Sequence, residues 1–216
     1  PRAVEAAATD AIAAALAADR ETATTAREYV ADETVLTLSR SGTVREAFSV
    51  GEPAAVTVAE SRPGGEGVDV AADLAAAGHR VTLTTDANLP GAVADATVCL
   101  LGADTVLPDG SVVNKVGSRA AALGASDAGV PCYAVAASDK ISPDGRVRVE
   151  GQSTVPLYEG DASVAVDNPV FERVPARLLD GVVTEAGLLD ADQIASLSAV
   201  HAARASWSVD ETPPEE

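Results

Sequence analysis

The chain has 216 residues, 47% of them apolar, which is enough for one domain with a core of its own. Its 33 acidic residues against 15 basic ones give a formal charge of −18, which repels nucleic acid and anionic lipid wherever no basic patch intervenes, and no apolar stretch approaches the roughly 20 residues of a membrane span. Only Lys115 and Lys140 are lysines, and this acid-rich, lysine-poor, alanine-rich make-up fits a cytoplasm of high salt where charge is screened.

The first 33 residues carry apolar positions at helical spacing, from Val4, Ala8, Ile12 and Leu16 to Ala26 and Val30, and predict a helical segment. Glu5, Asp10 and Asp19 within it are wrong for a signal peptide. From Thr34 short apolar runs alternate with helical stretches: VLTL (35–38), AVTVAE (55–60), RVTLT (80–84), TVCLLG (97–102), CYAVAA (132–137) and DGVVTE (180–185). Runs that are apolar throughout suit strands covered on both faces, so residues 34–207 are expected to form a doubly wound α/β domain with a mostly parallel sheet. Asp-Gly turn signals in LPDGSVV and ISPDGRVRVEG predict two hairpins, and residues 208–216 read as a flexible acidic tail. Cys99 and Cys132 each lie inside an apolar run and read as buried free thiols, not a disulfide or a metal pair.

Ligands in an open parallel sheet bind outside the carboxyl ends of the strands. That rule selects the loops at Ser39 to Thr43, Glu60 to Gly64, Thr85 to Asn88, Gly102 to Asp104 and Ser138 to Lys140. In the first, Ser41 and Gly42 open a helix whose free N–H groups suit phosphate, although N-capping alone gives the same pattern. Arg62 can fork onto phosphate or form a surface ion pair. Asp104 and the Asn114-Lys115 pair are separated by a hairpin that folds the chain back, so an acid and an ammonium at a helix start are expected to meet. His79 and His201 fall away from the strand ends, and neither is placed as a general base. G-x-G-x-x-G and a Walker lysine are absent after the first strand, and no cofactor or metal is expected.

The stretches GADTVLPDGSVVNKVGS, AESRPGGEG, VLTLSRSGTV and NPVFERVP…GVVTEAGLL together resemble the regulatory (alpha, beta and delta) subunits of translation initiation factor 2B and their aldose-phosphate isomerase relatives, which act on methylthioribose-1-phosphate and ribose-1,5-bisphosphate. The resemblance covers about residues 34 to 190. It implies a Rossmann-like α/β domain preceded by a helical one, a dimer or higher oligomer, and a sugar-phosphate or nucleotide pocket at the strand ends. In the isomerases a cysteine takes the C2 proton of an open-chain aldose phosphate while an aspartate moves a proton between the enediol oxygens. The aspartate falls on Asp104, the binding groups fall on Arg62, Asn114 and Lys115 with Arg40, Ser41 and Gly42 beside them, and the cysteine position carries Ser39.

An alcohol needs a neighbouring base where a thiolate does not. Three readings follow. The first is a regulatory, ligand-binding protein of this family without the usual isomerase chemistry. The second is an isomerase in which Asp104 makes both proton transfers or Asp86 assists. The third is a structural oligomer subunit. The resemblance adds a departure, Glu66 at a position where the family often has a glutamine that touches substrate, and the extra charge opposes a second phosphate.

Overall fold

A computed structural model describes residues 2–147 and 155–206. Six α-helices and ten β-strands are placed among them: α1 (Arg2–Ala26), β1 (Thr34–Leu38), α2 (Gly42–Gly51), β2 (Ala55–Ala59), α3 (Glu66–Ala76), β3 (Val81–Thr84), α4 (Leu89–Ala94), β4 (Val98–Gly102), β5 (Thr105–Val106), β6 (Val112–Lys115), α5 (Ser118–Ala128), β7 (Cys132–Val135), β8 (Phe171–Val174), β9 (Gly181–Thr184), β10 (Gly187–Leu189) and α6 (Ala191–Ala205).

The strands form a seven-stranded sheet in the order β3-β2-β1-β4-β7-β9-β10, parallel except for the antiparallel edge strand β10. This is the doubly wound topology expected from the continuous apolar runs, with the reversal of strand order between β1 and β4. Alternate residues of those runs fill two cores. Leu36, Leu38, Cys99, Leu101 and Ala134 pack with Leu89 and Val93 of α4, Ala121, Ala122 and Ala125 of α5 and Ile194 of α6. Val35, Val56, Val98, Leu100 and Val183 pack on the other face with Ala23 and Ala26 of α1, Phe48 of α2 and Leu74 of α3. Burying each of the larger side chains contributes about 1.5–3 kcal/mol.

Helix ends are set locally. Ser41 caps α2 by accepting from the Val44 N–H at 3.3 Å, and α6 begins with a capping box between Asp190 and Gln193. Gly67 is required because a Cβ there would lie 1.8 Å from the Ala59 carbonyl oxygen, so α3 crosses the end of β2 at backbone contact.

A second, antiparallel sheet of order β5-β6-β8 caps the carboxyl end of β4. The hairpin at LPDGSVV is present as β5 and β6. Asn114 and Lys115, expected at a helix start, instead end strand β6, and α5 begins at Ser118. The reason is tertiary: Asn114 and Lys115 register with Glu172 and Phe171 of β8, and the β-branched Val112 and Val113 favour the extended chain. In the second expected hairpin only the turn lies among the described residues, where Ser142 Oγ accepts from the Gly145 N–H at 3.1 Å. Residues 148–154 and the acidic tail lie outside them. No helix of the described residues is long and apolar enough to cross a membrane.

Candidate functional site

The switch point of the sheet opens into a cavity of about 320 Å³ lined by Leu38, Ser39, Arg40, Ser41, Gly42, Glu66, Gly102, Ala103, Asp104, Asn114, Lys115, Lys140, Val170 and Phe171. The loops after β1 and β4 form its floor, α3 supplies one wall, and the small sheet supplies another. Ser39 leaves β1 with φ of 59°, a left-handed conformation uncommon for a side-chain-bearing residue and costing of order 1–3 kcal/mol. Gly102 permits the close approach of the two loops, since a Cβ there would sit 2.8 Å from the Ser41 Cβ.

Lys115 is the buried cation of the site. Its side chain is 8% exposed, and its Nζ donates to Glu66 Oε1 at 2.7 Å. Burial pushes the Glu66 carboxyl up, but the Lys115 hydrogen bond, the residue's own backbone and the charges of Lys115 and Arg40 outweigh it, and the pKa lies below the ordinary value. Glu66 Oε2 is buried without a hydrogen-bond partner among the described residues. Asn114 donates to Ser118 Oγ at 2.8 Å, and Ser118 in turn donates to the Lys115 carbonyl at 2.6 Å, fixing the strand end.

Asp104 sits on the rim, its N–H donating to the Val113 carbonyl at 2.9 Å. Burial raises its pKa above the ordinary carboxylate value, against the opposing charges of Lys140 and then Lys115. Lys140 donates to the Ala103 carbonyl at 3.2 Å and faces the same cavity. Arg40 pairs with Asp69 at 3.2 Å in the open, where such a pair is worth little.

Seven of the nine sequence-selected residues thus share one cavity: Ser39, Arg40, Ser41, Gly42, Asp104, Asn114 and Lys115. Arg62 and Asp86 do not line it. They border a neighbouring depression with Gly117, Arg119 and Glu172. Both Asp86 carboxylate oxygens are engaged by backbone, accepting from the N–H groups of Ser61 at 2.8 Å and Arg62 at 2.6 Å, and Arg62 Nε donates to Glu60 at 3.2 Å. Phe171 escaped selection because only the pairing of β8 with β6 brings it there. Lys140 stood in a strand-end loop, the one available signal.

Neither thiol lines this cavity. Cys99 and Cys132 are register partners on adjacent strands, 0% and 1% exposed and free. The Cys132 hydrogen bond and burial push the Cys99 thiol well above its ordinary pKa. His201 lies on α6, its Nδ1 2.9 Å from the Ile141 carbonyl, and His79 lies before β3, at the other end of the sheet.

Residues 1–191 match the initiation factor 2 subunit family. Over 180 residues the chain is 32% identical to a translation initiation factor eIF-2B subunit 2-like protein of Pyrococcus abyssi, covering 80% of this chain and 63% of that one. It is also 32% identical over 163 residues to ribose 1,5-bisphosphate isomerase of Haloferax volcanii, covering 71% of this chain and 50% of that one. The crystal structure of translation initiation factor eIF-2B from Pyrococcus horikoshii OT3 matches with a TM-score of 0.73 at 29% identity, over 80% of this chain and 64% of that chain. The chain therefore spans between half and two-thirds of the length of these relatives.

Proposed function

The chain belongs to the initiation factor 2 subunit family, and on that premise we propose that it binds a phosphorylated sugar or nucleotide in the switch-point cavity, in a regulatory role and without the usual isomerase chemistry. The observation that carries this reading is the inventory of the cavity: Lys140, Arg40 and the start of α2 supply sites for an anion, Asn114 and Asp104 supply partners for hydroxyl groups, and no thiol is among them. A serine stands at the end of β1, and both cysteines are sealed in the sheet. A raised thiol pKa in the core makes neither a substitute base.

A second reading, an aldose-phosphate isomerase, is favoured by Asp104 itself. Burial raises its carboxyl pKa beside the cavity, which suits a group that gives and takes protons between the oxygens of an enediol. That reading lacks a group to remove the carbon-bound proton unless Asp104 does both. The proposal includes a homodimer or higher oligomer. Its support is the exposed apolar side chains of Leu157, Tyr158, Val164 and Val166, which follow one another on one segment beside the pocket-lining Val170 and Phe171.

The test is thermal unfolding of the protein in concentrated salt with AMP and sugar phosphates, beside proton exchange at C2 of ribose-1,5-bisphosphate and methylthioribose-1-phosphate. Stabilisation without exchange supports the binding role. Exchange by the native protein that is lost in Asp104→Asn replaces it with the isomerase. No response to any of these ligands removes the phosphorylated-ligand reading.

A further inference from the structure

The cavity's charges are unevenly committed. Three cations, Arg40, Lys115 and Lys140, face two carboxylates, Glu66 and Asp104, leaving one net positive charge. The Arg40 pair with Asp69 is solvent-exposed and gives way readily to a ligand. Lys140 donates to a neutral carbonyl, that of Ala103, and among the described residues forms no ion pair, although its charge acts on Asp104. Lys115 differs from both, because its ammonium is nearly buried and locked to Glu66 at 2.7 Å.

The Glu66 carboxylate packs over Gly64, where a Cβ would come within 2.3 Å of Oε1, and although the side chain is 37% exposed, Oε2 is buried with no hydrogen-bond partner among the described residues. Drawing Lys115 toward a phosphate would strip this carboxylate of its hydrogen-bonded countercharge and set two anions side by side. Its position is fixed by the fold, since Gly67, the next residue, is pressed on the Ala59 carbonyl.

We propose that Glu66 restricts the cavity to ligands bearing a single phosphate, by keeping Lys115 neutralised and unavailable to a second one. The proposal rests on the reading of this cavity as a phosphorylated-ligand site and narrows its substrate class. One phosphate monoester, carrying about −1.5 to −2 charge, is met by Arg40, Lys140 and the first turn of α2. The remaining hydroxyl groups have Asn114 and Asp104. A bisphosphate whose first phosphate takes Arg40 and Lys140 has only Lys115 left in the cavity for its second, and Lys115 is paired with Glu66.

Calorimetric titration of the whole chain and of Glu66→Gln with AMP, ribose 5-phosphate and ribose 1,5-bisphosphate, at one fixed salt concentration, tests it. The native protein is expected to bind a monophosphate at least about tenfold more tightly than the bisphosphate, and Glu66→Gln to tighten the bisphosphate about tenfold more than it tightens the monophosphates. Equal native affinity for the bisphosphate, or a ratio unmoved by Glu66→Gln, overturns the role of Glu66 and leaves the phosphorylated-ligand reading standing. Absence of binding by all three to both proteins overturns that reading and this proposal together.

Discussion

The Asp104 N–H donates to the Val113 carbonyl at 2.9 Å, which ties the acid at the end of β4 to the strand whose next two residues are Asn114 and Lys115. One backbone hydrogen bond thus places the carboxylate, the amide and the ammonium around a common cavity. The Asp-Gly turn between them sets the span of the hairpin, and the small antiparallel sheet holds it against the main one.

Removing the ammonium of Lys115 strands a carboxylate. Lys115→Met is expected to lower unfolding free energy by about 2 kcal/mol, less than the roughly 3–5 of a fully buried pair because solvent screens part of Glu66. The Glu66 side chain is 37% exposed. The double variant Lys115→Met with Glu66→Gln should recover most of the loss. Urea unfolding of the native protein, both single variants and the double variant closes the cycle, and strict additivity would mean that the 2.7 Å contact carries no coupling.

Local rules reached the parallel sheet because its strands are buried on both faces, and an uninterrupted run such as Val98 to Leu101 leaves little else for the chain to do. They also reached seven lining residues, since strand ends mark the ligand edge. They failed at Asn114 and Lys115, where a two-residue strand partner, β5, and a distant one, β8, outweigh a helix-start pattern. Arg62 and Asp86 stood at the correct end of the sheet, yet the turn after β2 spends Asp86 on its own backbone N–H groups. Nothing local distinguishes a carboxylate that caps a turn from one that faces a ligand. Glu66 was visible as a charge, but its partner is 49 residues away and only the folded chain joins them.

Asp104 gives a pH dependence of defined sign. Its folded pKa is raised, so the folded state holds the proton more tightly than the unfolded chain, and stability falls as pH rises from the ordinary carboxylate value through the folded one. Asp104→Asn has no such penalty. The difference in unfolding free energy between variant and native protein should therefore be smallest at pH 3, grow across the carboxylate range, and level off in favour of the variant by pH 7. Urea melts at successive pH values check it, and a difference growing toward acid would reverse the assigned direction.

Gly67→Ala inserts a methyl group where the Ala59 carbonyl oxygen already sits, 1.8 Å from the ideal Cβ position. Neither backbone can yield without moving α3 away from β2. The expected cost is about 3 kcal/mol, at the upper end of overpacking effects, and the displaced α3 should carry Glu66 away from Lys115. The same substitution at Gly78, whose Cβ meets nothing within 4 Å, separates steric from conformational cost, because its φ of 95° leaves backbone strain as the only penalty. Thermal or urea melting of the two variants should rank Gly67→Ala well below Gly78→Ala.

Ser39→Cys puts a thiol where the cavity now has an alcohol. Ser39 turns off β1 with φ of 59° and lines the cavity with Asp104 and Lys140, whereas the two native cysteines are sealed between β4 and β7. Iodoacetamide at pH 8 should therefore leave the folded native protein unlabelled, label Ser39→Cys once, and reach Cys99 and Cys132 only after unfolding. Cysteine near its ordinary pKa of about 8.5 supplies a useful thiolate fraction at that pH, which a serine hydroxyl does not. With an aldose phosphate in deuterated solvent, the new thiolate should give exchange at C2 that the native protein lacks, and the exchange should fall when Asp104→Asn is added. Native labelling of either core cysteine would contradict their 0% and 1% exposure. A labelled Ser39→Cys protein that catalyses no exchange would mean that thiol and carboxylate do not meet the same substrate carbon, which keeps the cavity a binding site even when a base is restored to it.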